Sequence, residues 1–157
     1  MAVRFVVAGI SMLLLAGCTG QGSSTENMDT PGHTLAARSP QALLRIGTTS
    51  RGTALTDETG TALYLFAADR GRSSGCTGTC LAMWPPYLTR GAPRAASGAR
   101  SDLLGTVQRP DGTTQVTYAG HPLYRYKKDY YTGDARGQRL YDFGGLWYLL
   151  GASGAPL

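Results

Sequence analysis

Cys76 and Cys80 are the residues whose type and spacing most directly suggest chemistry. On a helical turn, Cα atoms four residues apart sit about 6 Å from each other, within reach of a disulfide. So short a closed loop removes little unfolded-state entropy, so the expected use of such a bridge is to fix local geometry ahead of Trp84-Pro85-Pro86. With Met83 three residues on, the same sulfurs also read as soft ligands for Cu(I), in a redox or copper-handling site that His121 joins through the fold. The first reading needs no cofactor and no metal; the alternative needs copper. Zinc lacks enough evident ligands, and the Cys-Xaa-Xaa-Cys-His of haem attachment is missing. Asp69 and Asp129 each follow a short aromatic segment, where a carboxylate accepts turn N–H groups or a tyrosine hydroxyl. The functional alternative places both on one cleft for acid–base work or cation binding. His121, between Gly120 and Pro122, is expected to serve a turn hydrogen bond. There is no phosphate loop and no His-Glu-Xaa-Xaa-His, so no catalytic residues are assigned and the chain is not expected to be an enzyme.

The third cysteine has a different setting. Leu15-Ala16-Gly17-Cys18 closes an apolar stretch, Phe5 to Leu15, that follows Arg4. This run resembles the lipobox of bacterial lipoproteins, in which the cysteine is acylated and becomes the first mature residue. Residues 1–17 are then a signal peptide, its apolar part shorter than the roughly 20 residues of a membrane span. Two or more acyl chains on Cys18 give stable anchoring. The implied address is the extracytoplasmic face of a cell membrane, with an outer membrane permitted by Thr19 if the source has one. With Cys18 lipidated, Cys76 and Cys80 form an even pair in a compartment where disulfides persist. The net charge of +5 is dispersed over Arg70, Arg72, Arg90, Arg94, Arg125, Lys127 and Lys128 rather than gathered in a stripe. Nucleic acid is therefore not an expected partner. The expected partners are the membrane, through Cys18, and an unidentified envelope protein, polymer or small ligand.

Residues 18–42 are rich in Gly, Ser and Thr and carry Pro31, His33 and Pro40, too little apolar surface to offset the entropy of ordering. They read as a flexible tether whose r.m.s. span is roughly 25 to 30 Å. Residues 43–151 read as a β-rich domain and residues 152–157 as a C-terminal tail. Strands are expected over 44–49, 53–56, 61–67, 104–109, 113–118, 123–127, 139–143 and 146–150. Asp57-Glu58-Thr59-Gly60, Pro110-Asp111-Gly112, Ala119-Gly120 and Gly144-Gly145 are the turns between them. One short helix is expected within Cys76 to Trp84. The sum is an all-β domain of about eight short strands, a small sandwich or a partly closed barrel.

The chain repeats itself. Gly60, Leu63, Tyr64, Phe66 and Asp69 recur at one constant offset as Gly120, Leu123, Tyr124, Tyr126 and Asp129, and Trp84 has a looser counterpart in Trp147. Two like units of this kind usually pack about a pseudo-two-fold, because neither buries its apolar face alone. Side-chain alternation puts Tyr64 and Phe66 on one face and Leu63 and Leu65 on the other, both buried. It also puts Tyr124 and Tyr126 opposite a more exposed Arg125 and Lys127. The doubled Tyr-Xaa-(Phe/Trp/Tyr)-Xaa-Xaa-Asp motif, the segment Cys76 to Pro86 and the segment Gln115 to Tyr124 resemble the secreted-repeat lipoproteins of bacteria, a family without an established activity. The resemblance covers about Leu44 to Leu150 and implies export but no catalytic residues. The functional expectation is a membrane-anchored, non-enzymatic envelope module for binding or structure, with copper or redox handling by Cys76, Cys80 and Met83 as the alternative.

Overall fold

The computed structural model describes residues 40–71 and 73–157. The signal peptide, Cys18, His33 and most of the tether lie outside the described residues. Among the described residues the chain is all-β apart from two single turns of helix. β1 (Leu43–Thr49) and β2 (Gly52–Thr56) form an antiparallel hairpin. β3 (Tyr64–Phe66) follows, then α1 (Cys80–Met83), inside the stretch where a short helix was expected. β4 (Arg94–Ala95) pairs in parallel with the start of β1. A 3-10 turn (Ser101–Leu103) leads into β5 (Leu104–Gln108), β6 (Thr114–Tyr118) and β7 (His121–Pro122). β8 (Leu140–Asp142) and β9 (Gly145–Leu149) close the domain.

The strands form three small sheets, ordered β2-β1-β4, β3-β9-β8 and β5-β6-β7, and none closes into a barrel. Three of the four expected turns are present; the fourth falls one residue early, at Phe143-Gly144, with Gly145 already paired to Asp142 in β9. Asp57 Oδ1 accepts the N–H of Thr59 and Thr61 at 2.8 and 3.0 Å, and Gly112 N–H returns to Arg109 C=O at 3.0 Å. Two strand assignments also differ from the sequence reading. Arg94–Ala95 was not foreseen as a strand, because two residues carry no period. Residues 123–127 do not form a strand; Tyr124 alone makes bridges there, to Tyr64 and to Pro86. Residues 152–157 fold back, with Leu157 N–H on Leu149 C=O at 3.0 Å and Leu150 bridged to Pro156.

The β3–β9 pair separates two core clusters, and period-two alternation explains how. Tyr64, Phe66, Trp147 and Leu149 enter one cluster with Trp84, Tyr124, Tyr126 and the two cysteines. Leu63, Leu65 and Leu150 enter the other with Leu44, Tyr87, Val116 and Leu123. β3 is accordingly buried on both faces, while Lys127 is exposed and Arg125 half-buried.

Candidate functional site

The two copies of the motif meet at their tyrosines. Tyr64 N–H donates to Tyr124 C=O at 2.9 Å, and Tyr124 N–H donates to Tyr64 C=O at 3.0 Å. The side chains then cross over. Tyr64 Oη donates to Asp129 Oδ2 at 2.6 Å, whereas Tyr124 Oη lies 3.1 and 3.2 Å from the two oxygens of Asp69. Each aspartate also holds the loop that follows it: Asp69 Oδ1 accepts Gly75 N–H at 2.6 Å, and Asp129 Oδ1 accepts Arg136 N–H at 2.8 Å. Every one of these contacts has its counterpart in the other copy, the signature of a pseudo-two-fold between Tyr64 and Tyr124.

The same relation orders the rings. Phe66, Trp147, Trp84 and Tyr126 form one column, with successive centroids 4.2, 3.8 and 4.2 Å apart and the two indoles within 4° of parallel. Tyr64 meets Trp84 edge-on at 5.4 Å, and Tyr124 meets Trp147 edge-on at 5.1 Å. Aromatic pairs in these arrangements add about 0.5 to 1.5 kcal/mol beyond the area they bury. Both indole N–H groups end on one residue: Trp84 Nε1 donates to Asp142 Oδ2 and Trp147 Nε1 to Asp142 C=O, each at 3.2 Å. Asp142 thereby ties the column to the β8–β9 turn.

A charged side chain that sequence reasoning missed supports the first copy. Arg109, 5 % exposed, donates from Nη1 to Ser74 Oγ and to Gln115 Oε1 (2.7 Å), and from Nη2 to Cys76 C=O (3.2 Å). Ser74 is then left to donate to Tyr124 Oη at 2.6 Å, and Tyr124 to Asp69. The result is a chain of donors running from guanidinium to carboxylate. Arg109 precedes Pro110-Asp111-Gly112, so its sequence setting reads as a solvated turn and gives no sign of burial. Gln115 and Asp142 carried no signal either.

Burial raises the Asp69 carboxyl to about 6, against the opposing pull of Gly75 N–H, the Tyr124 hydroxyl and the Arg109 charge. Burial likewise raises Asp129, opposed by its bonds from Tyr64 and Arg136 N–H. Tyr124 is pushed up to about 12 by burial and by the negative charge of Asp69. Burial and Asp129 push Tyr64 up in the same sense. Both carboxylates are thus engaged with a tyrosine and a backbone amide. Among the described residues, no group of three or more His, Cys, Asp or Glu side chains is arranged to hold a metal.

Cys76 and Cys80 are joined in a disulfide with Cα atoms 5.4 Å apart, at the foot of α1 and within the aromatic cluster. Met83, one turn on, packs against that cluster. His121 lies elsewhere: it pairs with Tyr118, which belongs to the other cluster. The repeat residues are therefore brought together, whereas His121 belongs to the β5-β6-β7 sheet and the two cysteines and Met83 lie in and before α1.

The two motif copies correspond to the family match. A family described as a secreted repeat of unknown function matches residues 45–87 and again 105–150. The first segment holds Tyr64, Phe66, Asp69 and Trp84, and the second holds Tyr124, Tyr126, Asp129 and Trp147. Comparison with curated proteins and with solved structures found no match. Two repeats of one family, packed about a shared pair of tyrosines, make this chain a member of the secreted-repeat family of unknown function, an extracytoplasmic module.

Proposed function

We propose that the chain is a lipid-anchored, non-enzymatic module of the cell envelope, held outside the membrane by acylated Cys18 and presenting a binding surface. The observation that carries this reading is the run Leu15-Ala16-Gly17-Cys18 behind an apolar stretch too short to span a bilayer. Membership of a family of secreted repeats supports export. The non-enzymatic part is supported by the engagement of the motif groups with one another: a general acid or base needs a partner it can exchange a proton with at an accessible position. The residues between Cys18 and Pro40 serve as a tether between lipid and a domain whose core already includes Ala42. Metabolic labelling with an alkyne fatty acid tests the anchor. The wild-type chain should carry label and fractionate with membranes, and Cys18→Ala should remain an unlabelled, uncleaved precursor. An unlabelled wild type would overturn the reading.

A further inference from the structure

The large apolar side chains exposed among the described residues are Tyr130, Tyr131, Tyr141, Phe143 and Leu157, and two of them, Tyr130 and Phe143, share one hollow. Tyr130 is 66 % exposed, Tyr131 73 % and Phe143 43 %. Tyr130, Phe143, Met83, Ala82, Lys127 and Lys128 line one open hollow of about 380 Å³. Neither lysine forms an ion pair with a carboxylate among the described residues.

These rings are held in place. Asp134 Oδ2 accepts the N–H of Tyr130 and Tyr131 at 3.0 and 3.3 Å, Arg136 Nε lies 3.3 Å from the same oxygen, and the Arg136 guanidinium stands over the Tyr130 ring at 5.6 Å. Phe143 is more telling. The β8–β9 register, Asp142 opposite Gly145, leaves a two-residue turn of Phe143 and Gly144 with φ of 50° and 83°. Positive φ at both positions is the type I′ turn, whose first position favours Asn, Asp or Gly, and a bulky residue there is strained. Asn would meet this φ with less strain, so the turn itself does not call for an aromatic residue here. Such outliers point to function.

We infer that this surface docks onto the head-group region of an anionic lipid bilayer, a protein contact additional to the acyl anchor. Tyrosine rings with a polar end belong at the membrane–water boundary, and lysine stems lie along apolar surface while their ammonium groups reach phosphate. Unpaired lysines beside turn-borne rings match an anionic interface, whereas a polyanion in solution would need the charges and not the rings. The inference rests on the anchoring reading only for proximity: a tether between Cys18 and Pro40 lets the domain settle on the surface that holds Cys18.

The test uses the chain from residue 18 onward carrying Cys18→Ala. It lacks acyl groups but retains every residue of both core clusters, so its outcome is independent of lipidation. Cosedimentation with phosphatidylcholine vesicles, with and without phosphatidylglycerol, should show binding only to the anionic ones. Lys127→Gln and Lys128→Gln should each weaken it about fivefold, the worth of one basic residue near such a surface. Phe143→Asn should weaken binding while raising the unfolding midpoint, a pair of effects that a purely structural Phe143 would not produce. No binding to anionic vesicles, or binding unchanged by Phe143→Asn, would overturn the inference. So would equal binding to dextran sulfate in solution that survives Phe143→Asn and Tyr130→Ser, since a soluble polyanion would then be the partner.

Discussion

Tyr64 and Tyr124 exchange backbone hydrogen bonds in both directions, at 2.9 and 3.0 Å, and each sends its hydroxyl to the aspartate of the other's repeat. The motif is therefore completed across the pair. A single repeat would leave a buried tyrosine hydroxyl and a partly buried carboxylate without their partners, which accounts for the two copies occurring together in one domain.

Tyr64→Phe is expected to cost about 1.5 to 3 kcal/mol, since it takes one donor from a partly buried carboxylate. Asp129→Asn should cost less after Tyr64→Phe than before it, because the shared bond is lost only once. Urea unfolding of the four proteins of this cycle gives the coupling. Strictly additive effects would mean that the 2.6 Å bond contributes nothing.

Asp69 sets a pH dependence of definite sign. Its carboxyl is raised in the folded state to about 6 from a usual 3.8, so the folded protein holds more protons than the unfolded chain between those values. This contribution to stability is complete below about 3.8 and is lost as pH rises through about 6. Asp69→Asn removes the titrating group, so the stability of the wild type minus that of the variant should fall with rising pH across this window. Unfolding curves at stepped pH check it; parallel profiles would contradict it.

Two glycines lie against the ring column for steric reasons. A Cβ on Gly137 would stand 2.6 Å from Trp84 Cη2, and one on Gly145 would stand 2.7 Å from Phe66 Cε2. Gly137→Ala and Gly145→Ala should each cost about 1 to 3 kcal/mol by overpacking and should alter the near-ultraviolet circular dichroism of the stacked indoles. Gly112→Ala, at a turn with nothing within 4 Å of its added Cβ, should leave that spectrum unchanged.

Removing the disulfide by Cys76→Ala with Cys80→Ala should cost about 2 kcal/mol, the loop-closure value for so short a ring. Protein from an oxidising compartment should show no free thiol and should tolerate Met83→Leu. Stoichiometric copper on envelope-purified protein, lost on Cys76→Ser, would establish the copper reading instead.

The repeat and the alternation of β3 were legible because both are periodic: Leu63 and Leu65 against Tyr64 and Phe66 assign two faces without any knowledge of what covers them. The crossing of the motif was not. Tyr64 and Asp69 sit five residues apart in one copy, and spacing alone does not reveal that each is completed by the other copy. Residues 123–127 alternate like a strand, yet only Tyr124 finds bridging partners. Arg109 was invisible for a related reason: its burial is set by Ser74, Gln115 and Cys76 C=O, none of them its neighbours in sequence.

The central claim is that acylated Cys18 carries this two-repeat module at the membrane. Intact mass and N-terminal peptide analysis of the protein extracted from its own envelope tests it most directly. The account predicts a chain that begins at Cys18 and bears a diacylglyceryl group. A chain that retains residues 1–17, or that begins at another residue without lipid, would contradict it.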